Sequence, residues 1–264
     1  DLKVHRQDLV VSTMGRGFWI LDNLTPLHQA RAELAEAEAH LFRPRDAYRM
    51  RYRTDQGDAP HTPEYLPPGA IVDFYLAEAP EDEVTLEILD AEGAVVRAFS
   101  SRAEADSAQA EPYAQMDAPA PVEESVGKLE VEAGMNRFIW DLRHPGVWDE
   151  GGRSGYGPLA VPGRYEVRLS VGDAQQTRPL RLRIDPRVAN DGVTVADLEE
   201  QLWLNLQIRD AIDEARRAAV AIDAARQRFE GRVMETDEAR SAPRRLAALH
   251  AELVTPDGCS YPAP

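Results

Sequence analysis

Val84-Thr85-Leu86-Glu87-Ile88-Leu89, followed by Asp90-Ala91-Glu92-Gly93 and then Ala94-Val95-Val96-Arg97-Ala98-Phe99, is the stretch on which the fold turns. Val84, Leu86 and Ile88 alternate with Thr85 and Glu87. That period of two sends apolar side chains to one face of a strand and polar ones to the other. Asp90 to Gly93 is built of turn formers, so the two runs predict a β-hairpin. Toward the C-terminus, Arg164-Tyr165-Glu166-Val167-Arg168-Leu169-Ser170-Val171 is apolar at every odd position and polar at every even one. This predicts a second half-buried strand with one wet face. Ile71–Leu76, Lys128–Glu132, Met135–Leu142 and Thr177–Ile184 add further strands. Residues 100–127 carry Ser, Ala, Glu, Gln and Pro with few large apolar side chains, and read as a mobile insertion.

Outward in the other direction, residues 1–22 predict two short strands, Leu9–Thr13 and Phe18–Leu21, around a Met14-Gly15-Arg16-Gly17 turn. A lone two-stranded hairpin is marginal in water, so these strands need something else to pair with. Thr25-Pro26 predicts a helix start, with Thr25 as N-cap and the helix reaching about His40. Residues 54–69, with Pro60, Pro63, Pro67 and Pro68, read as loop. From Thr194 the period lengthens. Thr194-Val195-Ala196-Asp197 predicts a capping box, and Leu198, Leu202, Ile208, Ile212, Ala215, Ala219 and Ile222 predict one helical stripe reaching Phe229. A second helix over Glu238–Leu253 implies an antiparallel helical hairpin. The predicted fold class is mainly β with a helical appendix.

Composition narrows the function. The chain has 264 residues, with 46 Asp plus Glu against 30 Lys plus Arg and a net charge of −16. Such an acidic chain does not neutralise phosphate backbones by bulk charge, so nucleic acid is excluded as a partner class, and anionic membrane surfaces are disfavoured. No apolar run approaches the ~18 residues of a membrane span. The one cysteine, Cys259, has no partner for an internal disulfide. Asp1 is not an initiator methionine, and the chain reads as a fragment of a longer polypeptide.

No catalytic constellation is legible, so no catalytic residue is assigned. There is no G-x-S-x-G elbow, P-loop or G-x-G-x-x-G opening a helix. His5, His28, His40, His61, His144 and His250 lack metal-ligand spacing, so neither a metal nor a cofactor is expected. Adjacent acidic pairs such as Glu81-Asp82-Glu83 read as solvated charge rather than as paired acid and base across a sugar. Trp140-Asp141 reads as a core tryptophan followed by a turn-capping aspartate. Aromatics offer the better candidates. Trp148 and Tyr156 flank the glycine-rich loop Gly151–Gly157, and Trp203 lies off the main helical stripe. All three are candidate partner-binding residues.

Two stretches resemble known families. Asp8-Leu9-Val10-Val11-Ser12-Thr13-Met14-Gly15-Arg16-Gly17-Phe18-Trp19-Ile20-Leu21-Asp22-Asn23-Leu24-Thr25-Pro26-Leu27 resembles the closing blade, and the exit from it, of bacterial sortilin-like BNR-repeat β-propeller proteins, often labelled glycosyl hydrolases. Val84–Phe99, Gly134–Arg143 with its Trp140-Asp141, and Val161-Pro162-Gly163-Arg164-Tyr165 look like the Ig-like module that follows such propellers, similar to the flagellar hook-capping Ig-like domain. The resemblance implies residues 1–24 as a propeller-blade remnant, 25–69 as helix and linker, 70–185 as an Ig-like or fibronectin-type β-sandwich, 194–254 as a helical hairpin and 255–264 as a tail. It also implies an exported protein, periplasmic or extracellular. The Asp-box of such propellers is degenerate here, with Met14 at its aspartate position and Arg16 at its glycine position, so no sialidase-type catalytic residue carries over.

The function expected from these readings is a non-catalytic interaction or structural module that docks on a larger protein assembly. The alternative is an accessory region of a propeller glycoside hydrolase or glycan-binding protein whose active site lies outside this chain.

Overall fold

The structure, a computed structural model, describes residues 1–15, 17–50, 68–103, 127–149, 152–153, 156–229, 241 and 244–249. The expectations for the proline-rich 54–67, the insertion over 104–126, the link between the two helices and the 255–264 tail with Cys259 lie outside those residues. Two compact units are present. One comprises Asp1–Ala105, Val126–His144 and Pro158–Leu202, and the other Asp106–Ser125, Pro145–Gly157 and Trp203–Pro264.

The first unit opens with β1 (Leu2–His5), β2 (Asp8–Ser12) and β3 (Phe18–Leu21), an antiparallel sheet in that order. It holds three strands where the sequence predicts two, because Leu2 and Val4 alternate over too few residues to signal β1. The helix predicted from Thr25 to His40 is also different. α1 (Thr25–Gln29) is barely more than one turn, a 3-10 turn follows at Ala32–Glu36, and β4 (Ala39–Leu41) is a strand. Leu24, not Thr25, is the N-cap, and the Thr25 hydroxyl instead donates to Gln7 Oε1 at 2.8 Å. Tertiary pairing overrides the Leu27-Leu34-Leu41 spacing: β4 is drawn into a sheet and Leu41 becomes fully buried.

The chain continues through β5 (Ala47–Arg49), β6 (Ala70–Leu76), β7 (Val84–Leu89), β8 (Val95–Ser100), β9 (Gly127–Lys128) and β10 (Gly134–Trp140). Two short strands, β11 (Trp148–Asp149) and β12 (Gly152–Arg153), pair with each other inside the stretch read as a glycine-rich loop. Then come β13 (Gly163–Val171), β14 (Ala174–Ile184), α2 (Pro186–Asn190) and α3 (Val195–Phe229). The molecule is mainly β.

One sheet has the order β10-β6-β4, and a larger one has the order β5-β14-β13-β7-β8-β9. The β7–β8 hairpin forms as predicted, with Asp90 Oδ1 accepting from the backbone N–H groups of Glu92 and Ala94 at 3.1 and 2.8 Å. Gly93 adopts φ +84° in that turn, a conformation glycine enters without a Cβ clash. On β13, Tyr165, Val167 and Leu169 are buried, as the odd-even alternation requires.

Both sheets contribute to one apolar core. Val72, Phe74 and Trp140 enter it from the smaller sheet, and Leu86, Ile88, Val167 and Leu182 from the larger. Each such side chain contributes about 1.5–3 kcal/mol of burial. A side chain also joins the sheets. Gln176 of β14 accepts from the Leu41 N–H at 3.0 Å and donates to the Ala39 carbonyl at 2.9 Å, satisfying β4 groups that no strand reaches.

Tyr165 packs beside Trp140 with ring centroids 5.5 Å apart, and its hydroxyl donates to the Val161 carbonyl at 2.8 Å. Burial pushes its phenol up to about 12. A folded value above the ordinary value of 10 favours the protonated native state. The stabilisation is therefore complete below pH 10 and is lost as pH climbs from 10 toward 12. Phenolate absorbance is expected to show one tyrosine lagging the others, and Tyr165→Phe removes that lagging step. All tyrosines ionising together while the fold persists would contradict the assignment.

The helix start at Thr194 forms as a reciprocal box. Asp197 Oδ2 accepts from the Thr194 N–H at 2.7 Å, and Thr194 Oγ1 accepts from the Asp197 N–H at 3.2 Å. The Thr194 backbone N–H, with its hydroxyl, holds the Asp197 carboxyl below the ordinary carboxylate value. α3 is 35 residues long, about 52 Å at ~1.5 Å per residue.

Candidate functional site

The register of the N-terminal sheet decides what it presents. Leu2 faces Val11, which faces Trp19; Val4 faces Leu9, which faces Leu21. Residues directly opposite in antiparallel strands share a face, as do residues two apart on one strand. Six apolar side chains therefore form one continuous face, with no charged residue among them. Leu2, Val4, Trp19 and Leu21 are 66%, 59%, 63% and 51% exposed, while Leu9 and Val11 are partly covered. Phe18 and Ile20 are exposed on the opposite side. Large apolar patches of this kind on soluble chains mark interaction sites.

A polar network fastens this sheet to β6 and β10. Arg137 and Asp73 are direct cross-strand neighbours, and Arg137 Nε donates to Asp73 Oδ1 at 2.8 Å. The same guanidinium reaches Asp22 Oδ2 at 2.8 Å, just past β3. Asn23, with φ +52°, donates its side-chain amide to Asp73 and its backbone N–H to Asp8 Oδ1. Arg45 Nη1 also donates to Asp8 Oδ1, at 2.8 Å. Asn23 and Asp73 are both buried, so the network satisfies the Asp73 carboxylate and the Asn23 N–H groups, which would otherwise be costly, and leaves Asn23 Oδ1 without a partner among the described residues. Sequence reasoning missed Asp73, Asn23 and Arg137. Their signal is a charge inside an apolar strand, Asp73 within Ala70–Leu76.

The three aromatics singled out from the sequence are placed differently from one another. Tyr156 and Trp203 are exposed. Trp148 is only 2% exposed, which corrects the expectation that it offers its ring to a partner. Its backbone N–H donates to Asp213 Oδ1 at 2.8 Å, its backbone carbonyl accepts from Arg216 at 2.9 Å, and the Arg217 guanidinium lies 5.2 Å from its ring. Arg209 reaches the Pro145 carbonyl at 3.3 Å. The segment from Pro145 to Trp148 is thus held by polar residues of α3.

That arrangement corrects the predicted helical stripe as well. Leu198, Leu202, Leu206, Arg209 and Asp213 follow one side of α3, while Leu204, Ile208 and Ile212 are exposed on another. The covered side turns polar at Arg209 because the segment it receives offers backbone groups, which apolar side chains leave unsatisfied. Among the described residues, no group of three His, Cys, Asp or Glu side chains converges as a metal requires. No helix among them is long and apolar enough to cross a membrane. The chain matches no family model and no curated protein.

Proposed function

We propose that this chain is a non-catalytic docking module of an exported protein, attached to a larger protein assembly through its N-terminal sheet. The observation that carries the reading is the six-residue apolar face of β1–β3, left open to water in the isolated chain. Burying such a face against a protein surface gains about 25 cal/mol per Å² of apolar area covered. The Asp73–Arg137–Asn23 network supports the same reading, because it holds the sheet to the core rather than leaving it to fray.

For the core unit we propose an Ig-like or fibronectin-type sandwich. Three features support it: two sheets sharing one core, a fully buried Trp140, and a tyrosine whose hydroxyl bonds to backbone four residues upstream. A second reading, in which the chain is the accessory region of a propeller glycoside hydrolase or glycan-binding protein, is favoured by the antiparallel β1-β2-β3 meander. This is the arrangement part of a propeller blade would have.

Native mass measured on protein purified gently from its source, with intact-chain mass alongside, tests the proposal. A fixed assembly well above one chain is expected. Trp19→Asp combined with Leu21→Asp is expected to dissolve it while leaving the circular dichroism spectrum unchanged. A single chain of this length at monomer mass would overturn the docking reading. A single longer polypeptide would favour the propeller reading.

A further inference from the structure

A cleft of about 700 Å³ opens beside the β1–β2 turn, with Arg6, Gln7, Arg43, Arg45, Asp46 and Tyr48 in its lining. Three arginines meet there in a chain of net charge −16. Two of the lining charges are already cancelled: Arg45 is held by Asp8, and Asp46 is held by Arg183. Arg6 and Arg43 are not. Among the described residues their guanidinium groups make no hydrogen bond or ion pair, so two uncompensated positive charges face one cavity.

The backbone around them is fixed in place. Gln29 accepts from the Arg43 N–H at 2.9 Å and donates to the Arg43 carbonyl at 3.0 Å, clamping that residue on both sides. Gln7 Oε1 accepts from the Thr25 hydroxyl, which leaves the Gln7 amide N–H groups as donors. The turn itself is strained. Arg6 and Gln7 are the two residues between the paired His5 and Asp8, and both lie in the left-handed region, at φ +49° and +69°. Glycine, asparagine and aspartate are the residues that fit such a two-residue turn. A long cation and an amide stand there instead, and both side chains line the cleft. Strain retained where two ligand-ready side chains converge is a mark of a binding site.

The geometry points to a site for a small molecule bearing a carboxylate or phosphate group. Arg6 and Arg43 clasp the anion through forked N–H donors, the Gln7 amide adds a third contact, and Tyr48 forms a wall for the rest of the ligand. None of these residues belongs to the apolar face of β1–β3, so the site stands or falls independently of the docking reading.

Calorimetric titration of the 264-residue chain with inorganic phosphate, and separately with citrate, tests this at low and at physiological salt. Binding of at least one anion is expected, stronger at low salt. Binding of phosphate alone assigns the site to phosphate-bearing ligands, and of citrate alone to carboxylates. Arg43→Ala and Arg6→Gly are each expected to weaken binding by about tenfold or more. Arg6→Gly carries a second readout: its thermal midpoint should hold or rise, because glycine adopts that φ without strain. The proposal is overturned if neither anion binds at low salt, or if both variants bind as the parent does. A lowered midpoint in Arg6→Gly would overturn the strain argument on which the site rests.

Discussion

Trp140→Ala is expected to destabilise the protein by about 3–5 kcal/mol, lowering the thermal midpoint of its unit by roughly 6–20 °C. Trp140 is fully buried, so the alanine variant loses the burial of the whole indole and leaves a cavity in its place. Tyr165 loses its ring partner, and the Arg143 carbonyl loses the indole N–H that donates to it at 3.1 Å. Gly69 shows how close the packing is. A Cβ there would lie 2.5 Å from the Trp140 carbonyl oxygen and 2.6 Å from Ile139 Cγ2. The fold has no slack on this side of the core. Denaturant unfolding of the variant beside Trp140→Phe is the appropriate measurement. A loss under about 1 kcal/mol for the alanine variant would show that the core does not rest on this residue.

Arg137→Ala is expected to cost about 3 kcal/mol or more, because it strands Asp73 as a buried carboxylate with, among the described residues, only the Asn23 amide as side-chain donor. The double variant Arg137→Met, Asp73→Leu is expected to recover most of that loss, since removing both charges leaves nothing to desolvate. Arg137 also reaches Asp22, so the single variant should loosen the N-terminal sheet beyond its effect on the core. Hydrogen exchange over residues 2–21 is expected to accelerate more than exchange over β13. Equal acceleration in both places would mean that the network serves core stability alone and does not anchor the sheet.

The parts of this fold that are legible in the sequence are those whose signal is local. The alternation of β13 needs only eight consecutive residues, the β7–β8 turn needs four, and the Thr194–Asp197 box needs four. The illegible parts depend on pairings between distant positions. Leu2 and Val4 join one apolar face only once their register against Leu9, Val11, Trp19 and Leu21 is known. Asp73 meets Arg137 across 64 intervening steps of chain. Trp148 looks like an exposed aromatic beside glycines until Asp213, 65 positions away, is seen to accept from its backbone N–H. The polar inner side of α3 defeats an apolar-stripe argument for the same reason. The groups that Arg209 and Asp213 satisfy belong to another part of the chain.

The Gln176 bridge between β14 and β4 carries a consequence for how the protein is made. Leu41 and Gln176 are 135 positions apart, and the parallel pairing of β5 with β14 spans a comparable interval. A ribosome adding about 5–20 residues per second needs roughly 7–27 s to cover that distance. Throughout that interval Leu41 and its neighbours wait outside the exit tunnel with their closing strand not yet synthesised. Strands made first are thus locked in place among the last, and their apolar side chains stay uncovered for the length of that wait.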